Sequence, residues 1–394
     1  MEKKAARLYF IDAMRAWAIL MMLQGHFIDG LLDNVFRDPS SMTFGIWKYF
    51  RGITAPVFFT VSGFIFTYLM IRVPQRGFEN PRIKKGVKRG LQLLLIAYLL
   101  RLNLFGLFKG MLYKSFFLVD VLHCIGLSIL AIIAIYLLTH RAKKIIFPLA
   151  LLGVTMLLFI FEPVYKLWDL SYLPNALVNY ISKANGSVFT IIPWLGYTAF
   201  GGFLATIFTH YKHAKNLYLV AIPAAAISGL LLIYFSSQLF VLLSQWSGIE
   251  LFRAIYSNNY LFIRLGDVLV VFAVFMMFRE YLKNKTLLRI GQNTLSIYVI
   301  HFIILYGSFT GLGLYYYFNH SLSPEIVIPA AMVFMFVCSY LALTYDTYEL
   351  NIKAVFNKIP GLARTAIAPG YNGVSRALKP YVARFLKALG MVKS

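Results

Sequence analysis

The residues of this chain best suited to chemistry are ionisable groups set inside apolar runs. A charge in hydrocarbon is costly, so such groups usually face a polar interior, a partner or a pathway. In the first run, Asp12, Arg15, Ile19, Met22 and His26 fall within about 80° of one another at about 100° per residue, so one helix face carries a carboxylate, a guanidinium and an imidazole. Asp12 and Arg15 are one turn apart and can pair. His26 lies roughly 21 Å further along the helix, at about 1.5 Å per residue. It follows Gly25 and opens onto Asp29. A histidine with an unperturbed pKa near 6.5 can act as a general base close to neutral pH.

Further groups reach the same depth as His26. Asp120 and His123 open one later run, Arg264 and Asp267 open another, and Arg51 stands near the start of the second. Together they suggest a polar chamber at one end of a bundle. The Arg264–Asp267 pair would equally serve as a structural ion pair, and His123 as a hydrogen-bonded neighbour. His301 lies in a run with Asn293, Thr294 and Ser296, where polar side chains also glue helices together. Arg72, Arg76 and the following Arg82, Lys84, Lys85, Lys88 and Arg89 form a basic connector. It could hold the phosphates of an anionic cofactor or simply mark the cytoplasmic side.

These groups require long helices to position them. The 394-residue chain is 60% hydrophobic and 13% charged, with a mean hydropathy of +0.71. A soluble domain carries about 25% charged residues. Apolar runs near twenty residues match a bilayer core of about 30 Å. The pattern predicts an all-α polytopic transmembrane bundle with ten spans near 8–28, 47–71, 88–108, 117–138, 145–162, 189–209, 217–237, 260–279, 290–308 and 324–345. The first run holds Asp12 and Arg15 and lacks a small-residue cleavage site, so it reads as a retained helix.

The net charge of +23 is topological and does not mark a nucleic-acid-binding face. With both termini cytoplasmic, 27 of the 38 basic residues fall on the inner side and eight on the outer. Arg15, Arg101 and Arg264 remain within spans. Residues 1–350 read as the membrane domain. Residues 351–394 read as a basic cytoplasmic tail, with an amphipathic segment at 374–392 suited to anionic lipid. Cys124 and Cys338 lie in apolar runs and imply neither a disulfide nor a metal site.

The motifs resemble those of the transmembrane acyltransferase superfamily. Arg7-Leu-Tyr-Phe-Ile-Asp12-Ala-Met-Arg15-Ala-Trp-Ala-Ile, closing at His26, resembles its first helix, and Phe50-Arg51-Gly-Ile-Thr-Ala-Pro56-Val-Phe-Phe-Thr-Val-Ser62-Gly63-Phe64 its second. Val119-Asp120-Val-Leu-His123-Cys-Ile-Gly126, Pro193-Trp194-Leu-Gly196 and Gly291-Gln-Asn-Thr-Leu-Ser-Ile-Tyr-Val-Ile-His301 fit later helices. The heparan-α-glucosaminide N-acetyltransferase branch looks nearest, and the acyltransferase-3 branch next. In the animal lysosomal members the key histidine lies in the first non-cytosolic loop. Residues 29–46 hold none here, and His26 occupies the position used by bacterial-type relatives.

The resemblance implies a multi-pass enzyme of the plasma membrane or bacterial inner membrane. It would take an acetyl or other acyl group from cytoplasmic acetyl-CoA and pass it to an amine or hydroxyl of an extracytoplasmic sugar or glycan. His26, Asp120, His123, Arg51, Arg264 and Asp267 would form the catalytic set, with Asp12, Arg15, Arg72, Arg76 and His301 on the donor side. A transporter or flippase of a lipid-linked sugar is the alternative. The oligomeric state stays open, a dimer included.

Overall fold

The computed structural model describes residues 8–358, with side chains described as far as Tyr348. Eleven helices carry the bundle. They are α1 (Tyr9–Leu31), α2 (Met42–Ile71), α3 (Pro81–Leu100), α4 (Val121–Thr139), α5 (Ile146–Ile160), α6 (Ile191–Tyr211), α7 (Leu217–Ser247), α8 (Tyr260–Met277), α9 (Lys285–Gln292), α10 (Thr294–Tyr306) and α11 (Pro324–Lys358). Short helices occupy some of the connections. Among the described residues there is no strand, only isolated bridges at Leu32–Leu322 and Asn103–Phe309.

Six of these helices are long and apolar enough to cross a bilayer, and α9 with α10, bent by 71°, can form a seventh span. The chain is therefore an all-helical polytopic bundle. The three other expected spans are also helices but fall short of that standard. Asp12, Arg15, Gln24, His26 and Asp29 dilute α1, basic residues crowd the start of α3, and α5 has only 15 residues. The groups suited to chemistry are thus the same ones that weaken the membrane signal of α1.

The third span starts at Pro81 and not near residue 88. Asn80 caps it. Its Oδ1 accepts from Arg82 N at 2.9 Å, while its Nδ2 donates to Met70 O at 2.9 Å. Proline at the first helical position needs no amide partner, which favours a start there. At the other end of the chain, α11 continues to Lys358, past the expected boundary at 345. The expected interfacial segment at 374–392 lies outside the described residues.

Small residues set the tightest helix contacts, as they do where backbones must approach within a membrane. A Cβ at Gly63 of α2 would stand 1.9 Å from Thr198 O of α6, and one at Gly201 of α6 would stand 1.8 Å from Thr60 O of α2. A Cβ at Gly291 would stand 1.9 Å from Asp12 O, so that glycine lets α9 lie directly on α1. By contrast, only 6% of the most apolar window of α7 is buried inside the molecule. Its remaining surface is suited to lipid.

Candidate active site

Helix ends converge at one side of the bundle. The C-terminal halves of α1 and α10 and the end of α3 meet the middle of α2 and the first turns of α4 and α6 around two adjoining cavities. The basic connector after α2 lies at the opposite side. Arg51 and Arg72 are 21 residues apart on α2, roughly 31 Å along its axis.

His26 and Arg51 line both cavities. The first has a volume of about 290 Å³ and mostly apolar walls, including Met21, Phe58, Phe59, Phe189 and Trp194. The second, about 460 Å³, also has mostly apolar walls but is the more polar of the two, with Asp29, Arg101, Asn103, Asp120, Tyr298 and Tyr306 among its lining. The imidazole of His26 therefore stands between two cavities, the second richer in charged and polar groups than the first.

Its neighbour is His301. His26 Nδ1 and His301 Nε2 are 3.2 Å apart, and the two ring centroids 5.3 Å. His301 is fully buried, with its ring edge-on to Tyr298 at 4.8 Å. A proton carried on His26 Nδ1 and donated to His301 leaves His26 Nε2 as the basic atom. The hydrogen bond on one ring nitrogen thereby fixes the role of the other. Neither Asp120 nor Asp267, both expected in the catalytic set, occupies this place.

One turn beyond His26, the Asp29 carboxylate binds Arg51 through a short ion pair and Arg37 at 3.5 Å. Arg37 also donates to Asp29 O, and its guanidinium meets His320 Nδ1 at 2.9 Å. The Arg51 guanidinium lies 5.8 Å from the Trp47 ring, which is itself tied to α1 through Trp47 Nε1 donating to Gln24 Oε1 at 2.9 Å. These contacts hold an arginine on the wall of both cavities.

Asp120 begins α4 and faces the polar cavity. Its Oδ1 accepts from Leu122 N at 3.1 Å, and its Oδ2 accepts from Arg101 Nε at 3.1 Å. His123 closes the same capping box, with Nδ1 3.2 Å from Asp120 Oδ1. Its ring is fully buried edge-on to Tyr98 at 4.5 Å and lines neither cavity. Phe309, which lines the same cavity, has φ of +72°, uncommon for a residue with a side chain. It is pinned to residues 102–104 by Phe309 N donating to Leu102 O at 3.0 Å and Leu104 N donating to Phe309 O at 2.8 Å.

Arg264 and Asp267 form a separate cluster. Arg264 Nη1 donates to Asp267 Oδ2 at 2.8 Å, and Tyr49 Oη donates to Asp267 Oδ1 at 2.7 Å. The Arg264 guanidinium sits 4.5 Å from the Tyr49 ring and is packed against Gly52. Neither residue lines either cavity.

Deeper in the bundle, Arg15 lies 4.0 Å from Asp12 and donates to Thr294 Oγ1 at 3.0 Å. That contact joins α1 to the start of α10. Arg72 stacks over Tyr68 at 4.9 Å, and Arg76 is exposed. The structure thus brings His26, Arg51 and Asp120 to the cavities, with His301 buried behind His26. It leaves His123, Arg264 and Asp267 off the cavity walls, and Arg72 and Arg76 at the far end. Asp29 and Arg101 join the site without having been chosen from sequence as site residues. Their signals were Asp29's position one turn after His26 and the location of Arg101 inside an apolar run.

The chain matches the acyltransferase-3 family, described as an acyltransferase domain, over residues 8–344. It belongs to that family, and is a membrane acyltransferase. The match falls on the branch placed second by the sequence motifs, and the heparan-α-glucosaminide N-acetyltransferase branch is not shown. Neither the curated proteins nor the solved structures include a match to this chain.

Proposed function

We propose that this acyltransferase moves an acyl group from cytoplasmic acyl-CoA, with acetyl-CoA the simplest donor, to a hydroxyl or amine of an extracytoplasmic sugar or glycan. The carrying observation is the placement of His26, backed by His301, on the wall shared by the apolar and polar cavities. Acyl transfer needs a base between an acyl donor and a polar acceptor, and this arrangement supplies both spaces.

In this reading the basic end, with Arg72, Arg76 and their neighbours, attracts the acyl-CoA phosphates, and the donor then advances into the bundle until its thioester reaches the apolar cavity. The acceptor hydroxyl lies in the polar cavity beside His26 Nε2. His26 takes the hydroxyl proton as the oxygen attacks the thioester carbonyl. The new C–O bond forms, the C–S bond breaks, and the proton passes to the CoA thiolate. Arg51 stabilises the oxyanion, a role for which its place on both walls suits it better than the position of Arg264. His301 is a positioning residue for the His26 tautomer. Asp120, held by Arg101, orders the polar wall. The cavity mouths face the extracytoplasmic side of a plasma membrane or bacterial inner membrane, as the positive-inside pattern indicates.

The test is transfer of labelled acetyl from acetyl-CoA by purified protein to a panel of mono- and oligosaccharides, followed by mass spectrometry of the products. An acylated sugar supports the reading. Stabilisation by a glycolipid, with no stabilisation by any CoA ester and no product, would instead favour a lipid-linked sugar transporter.

A further inference from the structure

Behind the Arg51–Asp29 pair stands a second cation, Arg37, which lines neither cavity. It lies in the connection after α1. Its Nε donates to Leu32 O at 3.1 Å, and its guanidinium also donates to Asp29 O. Its Nη1 is 3.5 Å from Asp29 Oδ1, and its Nη2 is 2.9 Å from His320 Nδ1. His320 comes from the connection between α10 and α11, which is stitched to the end of α1. His320 N donates to Gly30 O at 3.1 Å, Leu322 N to Leu31 O at 2.9 Å, and Asp33 N to Leu322 O at 2.9 Å. Two distant parts of the chain thus meet at one guanidinium.

The chemistry of that meeting fixes a protonation state. A guanidinium has only donors, so His320 Nδ1 accepts, and the imidazole is neutral with its proton on Nε2. The same Nδ1 lies 3.3 Å from Leu32 O, the carbonyl that Arg37 already uses. A protonated His320 would repel Arg37 and turn an Nδ1–H donor toward Leu32 O. It would contest two of the contacts that hold Arg37. The other groups near His320 are the Asp29 carboxylate behind Arg37 and Tyr315, its ring centroid 6.3 Å away. Asp33 and Glu325 are engaged locally, by Val35 N at 3.0 Å and by Ser323.

We infer that Arg37, latched by neutral His320, is a positioning residue for acyl transfer, and that protonation of His320 releases it. This rests on the acyl-transfer reading above, in which Arg51 faces the oxyanion. Asp29 is shared between two guanidiniums, which leaves the three groups with a net charge of +1. Without Arg37 the whole carboxylate charge falls on Arg51, and the positive potential beside the cavities drops. In a site of low dielectric that loss acts on the transition state, where the oxyanion forms. It should therefore appear in kcat and not in KM. The only bond change is the gain of one solvent proton at His320 Nδ1.

The experiment measures kcat and KM with labelled acetyl-CoA and a saccharide acceptor, using purified full-length protein from about pH 8 to about pH 5, the range in which histidine ordinarily changes charge. Arg37→Gln should lower kcat about tenfold, less than the loss of a direct oxyanion donor, with KM little changed. Arg37→Lys should recover part of the loss. His320 has φ of +49°, which Asn tolerates better than most side chains. His320→Asn therefore keeps the backbone and an acceptor for Arg37 that does not titrate, and it should hold its kcat to lower pH than wild type. His320→Gly keeps the backbone without the acceptor and should show the lowered kcat even at the alkaline end. Equal kcat in wild type and Arg37→Gln, or identical pH profiles in wild type and His320→Asn, would overturn the assignment. Amide exchange of residues 30–37 and 319–322, corrected for the intrinsic rate, reads the latch without any donor. It should quicken on acidification in wild type and not in His320→Asn; equal exchange in the two would overturn the latch. Quickened exchange in a wild type that accepts no CoA ester would support the latch and remove the acyl-CoA reading instead.

Discussion

Two arginine–carboxylate pairs sit near the start of α2 and are built from the same side-chain types, yet their surroundings differ. Arg51 and Asp29 are each 37% exposed, and both line the polar cavity. Arg264 and Asp267 are 12% and 4% exposed, sealed against Tyr49 and Gly52. The difference teaches that depth in a membrane bundle does not assign a role. A pair opening onto a cavity can act on a ligand, whereas a pair closed off by aromatic and glycine neighbours holds helices together.

Substitutions can sharpen or break that contrast. Arg51→Ala should lower kcat by about 10²–10³, the scale for loss of one oxyanion donor, with little change in the thermal midpoint in detergent. Arg264→Ala should do the reverse. Leaving Asp267 buried and unpaired should cost about 3–5 kcal/mol of stability, while protein that stays folded retains its kcat. If Arg264→Ala folds normally and is inactive, the contrast fails.

His301→Asn should cause a smaller loss of kcat than removal of His26 and displace the acid limb of the kcat pH profile. A purely structural role would lower the folded yield and leave the profile in place. The smallest effect should come from Tyr49→Phe, which removes one hydrogen bond to Asp267. It should lower stability by about 1 kcal/mol in denaturant titration and leave acyl transfer untouched.

Much of the fold could be read from apolar run length because a bilayer imposes that length on every span. The start of α3 was harder to place. Basic residues from Arg82 to Arg89 hide an Asn80–Pro81 helix start that is, in physical terms, a well-formed cap. His26 was legible because it closes a polar face on one helix. Its partnership with His301 was not, since 275 positions separate them and only the bent α9–α10 pair brings them together. The expectation that Asp120, Arg264 and Asp267 share one depth rested on their positions at the starts of apolar runs. Their separation into cavity wall and helix seam depends on the lateral packing of α2, which periodicity does not carry.

The most direct test compares wild type, His26→Ala and Arg264→Ala, purified side by side and checked for folding, with a labelled CoA ester and a saccharide acceptor. The account predicts that His26→Ala remains folded and loses about 10²–10⁴ in turnover, the range for a general base, while folded Arg264→Ala retains activity. Full transfer by folded His26→Ala would contradict it.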